Sequence, residues 1–153
     1  MDGPVRTARS GTRPRGPLVL LVEDDDVSRD LMAGELASAG FMVLEASDGA
    51  GALEKALQFG PHAVVLDLML PGIDGFKVAR RLRTHERTRD VVIVALTALV
   101  SKKSEDLAIS AGCDSFFSKP APAGVLVGEL VRLIARRTRE TSSPDMSRLY
   151  RGR

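Results

Sequence analysis

"LVLLVEDDDVSR", residues 18–29, runs from five consecutive apolar residues straight into four acids, Glu23, Asp24, Asp25 and Asp26. An uninterrupted Leu/Val run has no polar position to turn toward water, so it reads as a strand covered on both faces, as in a parallel sheet. The acids behind it repel one another unless a cation compensates them. One short stretch therefore raises the question of the fold and the question of the chemistry together.

The pattern recurs along the chain. Apolar runs "FMVLEA" (41–46), "AVVLDLML" (63–70), "VVIVALTA" (91–98) and "DSFFS" (114–118) each precede a segment of helical period: "GAGALEKALQFG" behind Asp48, "DGFKVARRLRTHE", "SKKSEDLAISAG" behind Ser101 or Ser104 as caps, and "PAGVLVGELVRLIARR". The first helix, "SRDLMAGELASAG", places Leu31, Met32, Glu35 and Leu36 at helical spacing and stops at Gly40. Five strand–helix units with buried strands predict an α/β fold, an open doubly wound parallel sheet with helices on both faces. Ligands of such sheets sit outside the carboxyl ends of the strands. Glu23 and Asp24, Asp67, Thr97 and Lys119 all fall at those ends.

Length and composition agree with one domain of 153 residues and 44% hydrophobic content. The net charge of +2 is carried by the ends. Residues 1–17 and 138–153 together hold eight Arg against three acids, so the stretch between them is net acidic. The reading divides the chain into a flexible Arg-rich N-terminal tail (1–16), an ordered domain (17–137) and a flexible basic C-terminal tail (138–153). The single Cys113 excludes an internal disulfide, and no run is long enough to span a membrane, so a cytoplasmic protein without a membrane partner is expected.

Three carboxylates gathered on one sheet edge call for a divalent cation. Oxygen donors without His or Cys favour magnesium, manganese or calcium, and a small set of carboxylates that leaves room for water and phosphate suits magnesium best, with manganese as the alternative. Asp25 and Asp26 lie where a helix begins and read as caps. Asp67, flanked only by apolar residues and Pro-Gly, is either a structural acid or a nucleophile toward phosphorus, with Lys119 and the Thr97 hydroxyl as charge and hydrogen-bond partners for a phosphoryl group.

"LLVEDDD", "VVLDLMLPGIDGF", "VIVALTA" and "FFSKPA", in that order, with 43 residues from Asp24 to Asp67, 30 from Asp67 to Thr97 and 22 from Thr97 to Lys119, closely resemble the receiver domain of two-component response regulators over about residues 17–137. The resemblance implies a flavodoxin-like strand order 2-1-3-4-5. It also implies a magnesium site made of Glu23, Asp24, Asp67 and the backbone carbonyl of Met69, with Asp67 as phosphoacceptor. Thr97 then corresponds to the switch hydroxyl, Phe116 to the switch aromatic, Lys119 to the phosphate-binding lysine, and Lys119-Pro120 to a cis peptide. Met69 and Leu99 would flank the phosphoryl group; both are apolar, which predicts slow hydrolysis of the acyl phosphate.

The implied protein is a signalling phosphoacceptor rather than an enzyme. Its partners would be a histidine kinase or histidine phosphotransfer protein and an unknown downstream protein target, reached through the face of helix 4, strand 5 and helix 5. Nucleic acid is disfavoured as a partner, and a monomer or weak homodimer is expected. With 16 polar-rich residues after Arg137, a stand-alone receiver is the expectation. Two alternatives differ in class: a docking module that is never phosphorylated, and a magnesium-dependent aspartyl-phosphate phosphohydrolase, which would want an acid where Met69 stands. A flavin or nucleotide binder would want a Gly-rich loop where "EDDDVSR" stands. His62 and His85 lack partners at ligand spacing, Asp74 and Gly75 read as a turn and cap, and Arg80, Arg81 and Arg83 as an exposed helix face.

Overall fold

A computed structural model describes residues 5–6, 16–98 and 101–142. The chain alternates strictly: β1 (Leu18–Val22), α1 (Asp26–Ser38), β2 (Met42–Ala46), α2 (Gly49–Phe59), β3 (Ala63–Leu66), α3 (Gly75–Thr84), β4 (Val92–Thr97), α4 (Lys102–Ala111), β5 (Ser115–Ser118) and α5 (Ala123–Ser142). All strand pairs are parallel, in the order β2-β1-β3-β4-β5, as expected.

Successive strand residues point to opposite faces, and each face has its own apolar layer. Leu20, Val22, Leu44, Val64, Leu66, Ile93 and Ala95 pack with Ala52 and Ala56 of α2, Val78, Ala79 and Leu82 of α3, and Ala108 and Ala111 of α4. Val19, Leu21, Val43, Val65, Val92, Val94 and Leu96 pack with Ala33, Leu36 and Ala37 of α1 and Leu126, Leu130 and Ile134 of α5. This is why the central strands show no polar alternation. β4 is buried along its whole length, whereas β5, at the edge, is half-buried.

Helix starts follow the chemistry of their caps. Asp25, Asp48, Asp74 and Ser101 each accept a hydrogen bond from the backbone N–H three residues on. α4 ends on Gly112 in the left-handed conformation, and α2 on Gly60 likewise.

Several expectations are revised. β3 stops at Leu66 instead of running to Leu70: its pairing ends there, with Val22, the last residue of β1, opposite Leu66 on one side and Ala95 on the other, while β4 runs on to Thr97. Leu31 faces solvent at 65% exposure, and α1 instead buries Ala33, Leu36 and Ala37. α5 continues to Ser142, five residues past the expected domain boundary. Arg6, in the segment read as a tail, pairs with Val43 of β2. Cys113, by contrast, is buried as its place at a strand entry suggests, and burial pushes its thiol up to about 12, so it serves as a small core residue.

Arg83 is the clearest revision. Instead of lying on an exposed face, its guanidinium donates to the carbonyls of Gly112 (3.0 Å), Arg89 (2.9 Å) and Val91 and to Asp114 Oδ2 (2.9 Å). Asp114 also accepts from the Ile93 N–H (2.8 Å) and from Arg137 of α5 (2.9 Å). One carboxylate thus ties α3, β4, the entry to β5 and α5 together at the amino ends of the strands. Removing it leaves the half-buried Arg83 without its anion and Arg137 with Glu140 alone, at 3.7 Å, so Asp114→Ala is expected to lose about 2–3 kcal/mol in urea denaturation. A loss below about 0.5 kcal/mol would show that the clamp adds nothing.

Candidate functional site

At the carboxyl ends of the strands the sheet presents Glu23 after β1, Asp67 after β3, Thr97 at the end of β4 and Lys119 after β5. Glu23 and Asp67 are 5% and 6% exposed, a rare state for carboxylates, and Thr97 is fully buried. Asp24 is exposed. Backbone bonds hold these positions as continuations of the sheet: Asp67 N–H donates to Val22 O (3.1 Å), Glu23 N–H to Ala46 O (3.0 Å) and Lys119 N–H to Thr97 O (2.8 Å). The Lys119-Pro120 peptide is cis.

Lys119 crosses above β4 to reach the acids. Its ammonium donates to Asp67 Oδ2 at 2.8 Å and to Glu23 Oε1. Burial raises the Glu23 carboxyl above the usual range, partly offset by its hydrogen bond to Lys119. Burial also works against the charge on Lys119, but its hydrogen bonds to Asp67 and Glu23 outweigh that, and its value lies above the usual lysine range. The second Asp67 oxygen accepts from the Met69 N–H (2.9 Å).

Oxygen atoms of Glu23, Asp24 and Asp67 lie within 4.8 Å of one another, so one ion could touch all three. A set of hard carboxylate oxygens, two of them buried and one facing solvent, fits a magnesium-type cation that keeps part of its water. Chemically, the site offers a buried carboxylate beside a fixed ammonium, with room for added positive charge.

The structure therefore brings Glu23, Asp24, Asp67 and Lys119 into one cluster, with Thr97 joined to it through the backbone of Lys119. Met69 adjoins Asp67 and is 54% exposed. Phe116 lies outside the cluster, half-buried against the α2–α4 core layer. Leu99 lies outside the described residues. His62 and His85 are at the surface, and the His62 Nδ1 accepts the first N–H of β1 from Leu18 (3.0 Å).

Arg29 was not singled out from the sequence, and Gly75, read there as part of a turn and cap, also has a packing role. Arg29 donates to the carbonyl of Glu23 (2.9 Å) and to Asp26 Oδ1 (2.6 Å), steadying the acidic turn. Gly75 sits so close to β3's exit that a Cβ would come within 2.5 Å of Asp67 O and Leu68 Cα. A glycine at the first position of a helix, where it weakens the helix, was the available signal.

Residues 19–131 match the family model described as the response regulator receiver domain. The chain belongs to that family. Receiver domains of this kind are two-component signalling proteins and generally not enzymes. Among curated relatives, the DNA-binding dual master transcriptional regulator RpaA of Synechocystis sp. is 38% identical over 122 residues, 80% of this chain and 50% of RpaA. The chain spans about half the length of the curated relatives it matches. Among solved structures, the receiver domain of the sensor histidine kinase PA1611 from Pseudomonas aeruginosa PAO1, with a magnesium ion coordinated in its active-site cleft, is 32% identical with a TM-score of 0.74, covering 78% of this chain and 98% of that one. The BeF3-activated receiver domain of Klebsiella pneumoniae RstA is 32% identical with a TM-score of 0.71, covering 76% of this chain and 97% of that one. No helix among the described residues of this receiver domain is long and apolar enough to cross a membrane.

The electrostatics of the receiver site give a directional expectation. Glu23 holds its proton more tightly folded than unfolded, so its protonated form favours the fold below the ordinary glutamate range and that contribution is lost as pH rises through the raised value. Lys119→Ala removes the cation that offsets this. In chelator, the variant is expected to lose about 1–3 kcal/mol near neutral pH and clearly less at about pH 5, read by urea denaturation at both. A loss that does not change with pH would contradict the charge-compensation account.

Proposed function

We propose that Asp67 is the phosphoacceptor of this receiver domain, taking a phosphoryl group from a histidine kinase or a histidine phosphotransfer protein in a magnesium-dependent step. The observation that carries the reading is the 2.8 Å contact of Lys119 with a 6%-exposed Asp67 whose carboxylate shares a 4.8 Å neighbourhood with Glu23 and Asp24.

In the transfer, an Asp67 oxygen forms a P–O bond as the P–N bond to the donor imidazole breaks, and the imidazole leaves with the bonding pair. Glu23, Asp24, Asp67 and the Met69 carbonyl would hold the magnesium ion, which when bound draws negative charge from the phosphoryl oxygens. Lys119 already stands at Asp67 and supplies a protein cation to the same oxygens. The Met69 N–H orients the carboxylate. The Thr97 hydroxyl donates to the phosphoryl group once it is in place.

Signalling would follow from a two-state shift in which Thr97 moves toward the phosphoryl group and Phe116 turns inward. Support for this comes from the half-buried state of Phe116 and from a cleft of about 430 Å³ lined by Ser101, Lys102, Glu105, Phe116, Phe117 and Ser118. The face of α4, β5 and α5 is then the surface read by a downstream protein. The apolar, exposed Met69 beside Asp67 offers water no polar guide, which favours a long-lived acyl phosphate. A cytoplasmic location is proposed from the kinase partnership and the lone, buried thiol.

Incubation with acetyl phosphate and magnesium is expected to add the mass of one phosphate to the intact chain, to add none to Asp67→Asn, and to add none in excess chelator. A chain that stays unmodified under the first condition would favour a docking module, and modification of Asp67→Asn would move the acceptor elsewhere.

A further inference from the structure

β2 is an edge strand, and Val43 directs its backbone N–H and C=O away from the sheet, whereas the neighbouring Met42 N–H donates inward to Pro17 O (3.0 Å). The outward pair is taken by Arg6 in an antiparallel bridge: Arg6 N–H to Val43 O at 2.7 Å and Val43 N–H to Arg6 O at 2.9 Å. The Arg6 side chain is caught as well. Its Nη2 lies 2.7 Å from Asp30 Oδ1 on α1 and 3.3 Å from Glu45 Oε2 on β2. Both backbone groups of one residue and both carboxylates flanking it are therefore matched to a single extended arginine.

We propose that the β2 edge with Asp30 and Glu45 is a recognition site for an extended, arginine-bearing strand, and that the Val5–Arg6 segment of this chain is its resident ligand. The backbone pair supplies strand addition, which any extended residue except proline could make, and the two carboxylates supply the preference for arginine. An uncovered edge strand is open to pairing with other chains, so a tethered strand here also closes that edge. The site is separate from the Asp67 cluster and stands whether or not Asp67 accepts phosphate. It is held by two backbone bonds and two partly exposed ion pairs, few enough contacts for the strand to leave and return without disturbing the core.

The test uses the full ¹⁵N-labelled chain and amide exchange. In the wild type the Val43 amide should exchange slowly. In Arg6→Glu, whose charge opposes Asp30 and Glu45, and in Arg6→Pro, which lacks the bridging N–H, Val43 should exchange faster by about tenfold or more, while Met42 keeps its wild-type rate and reports an intact sheet. Adding a synthetic peptide of residues 1–10, MDGPVRTARS, to the Arg6→Glu chain should restore Val43 protection saturably, and the same peptide with Glu at the sixth position should not. The proposal is overturned if Val43 exchanges equally in wild type and both variants, if the peptide leaves Val43 unprotected at saturation of its solubility, or if the charge-reversed peptide protects it as well.

Discussion

Two carboxylates buried at the end of a parallel sheet are tolerable only because one ammonium reaches both of them. Glu23 comes from β1, Asp67 from β3 and Lys119 from β5, so the three meet only when five strands have taken the order that puts β4 between the last two. Lysine suits this position. Its long apolar stem can cross the end of β4, and its compact charge can serve two acids at once. Desolvation that would otherwise neutralise Glu23 is thus turned into a site where added positive charge is welcome. The same arrangement suits a phosphoryl group, which brings anionic oxygens to a place already furnished with a cation.

The opposite end of the sheet inverts the charges. There a single acid, Asp114, is gripped by Arg83 and Arg137, and its remaining lone pairs take the Ile93 N–H. The partners satisfy one another fully and leave little to offer a ligand. At the Asp67 end, by contrast, Asp24 faces solvent, and Glu23 and Asp67 share one ammonium. The Asp114 clamp serves stability and the Asp67 end is left electrostatically incomplete, which is how an α/β sheet separates support from chemistry.

Much of this was legible beforehand, and for identifiable reasons. Unbroken runs such as Leu18–Val22 and Val92–Thr97 can only be strands covered twice, and Asp25, Asp48, Asp74 and Ser101 mark helix starts because their short side chains reach a backbone N–H three residues on. Intervals between Asp24, Asp67, Thr97 and Lys119 carried the family likeness. Misreadings arose where a residue's surroundings come from distant segments. Arg83 looked solvated because its acceptors, Gly112, Val91 and Asp114, lie far along the chain or in backbone carbonyls that no pattern displays. Leu31, at helical spacing with Leu36, faces solvent because the small Ala33 and Ala37 face the sheet, and they give a weak apolar signal. Arg6 looked like part of a tail because nothing local reveals an open edge on β2.

The sequence by itself determined the order and type of the elements, the strand-end acids and the family, because hydrophobic period, capping chemistry and motif spacing are local properties written along the chain. Only the tertiary structure decided which charges compensate which: Lys119 with Glu23 and Asp67, two arginines with Asp114, Arg6 with Asp30 and Glu45. The reason is physical. Coulomb energy and desolvation depend on distances across the sheet and on burial, and neither exists until the strands have been placed side by side.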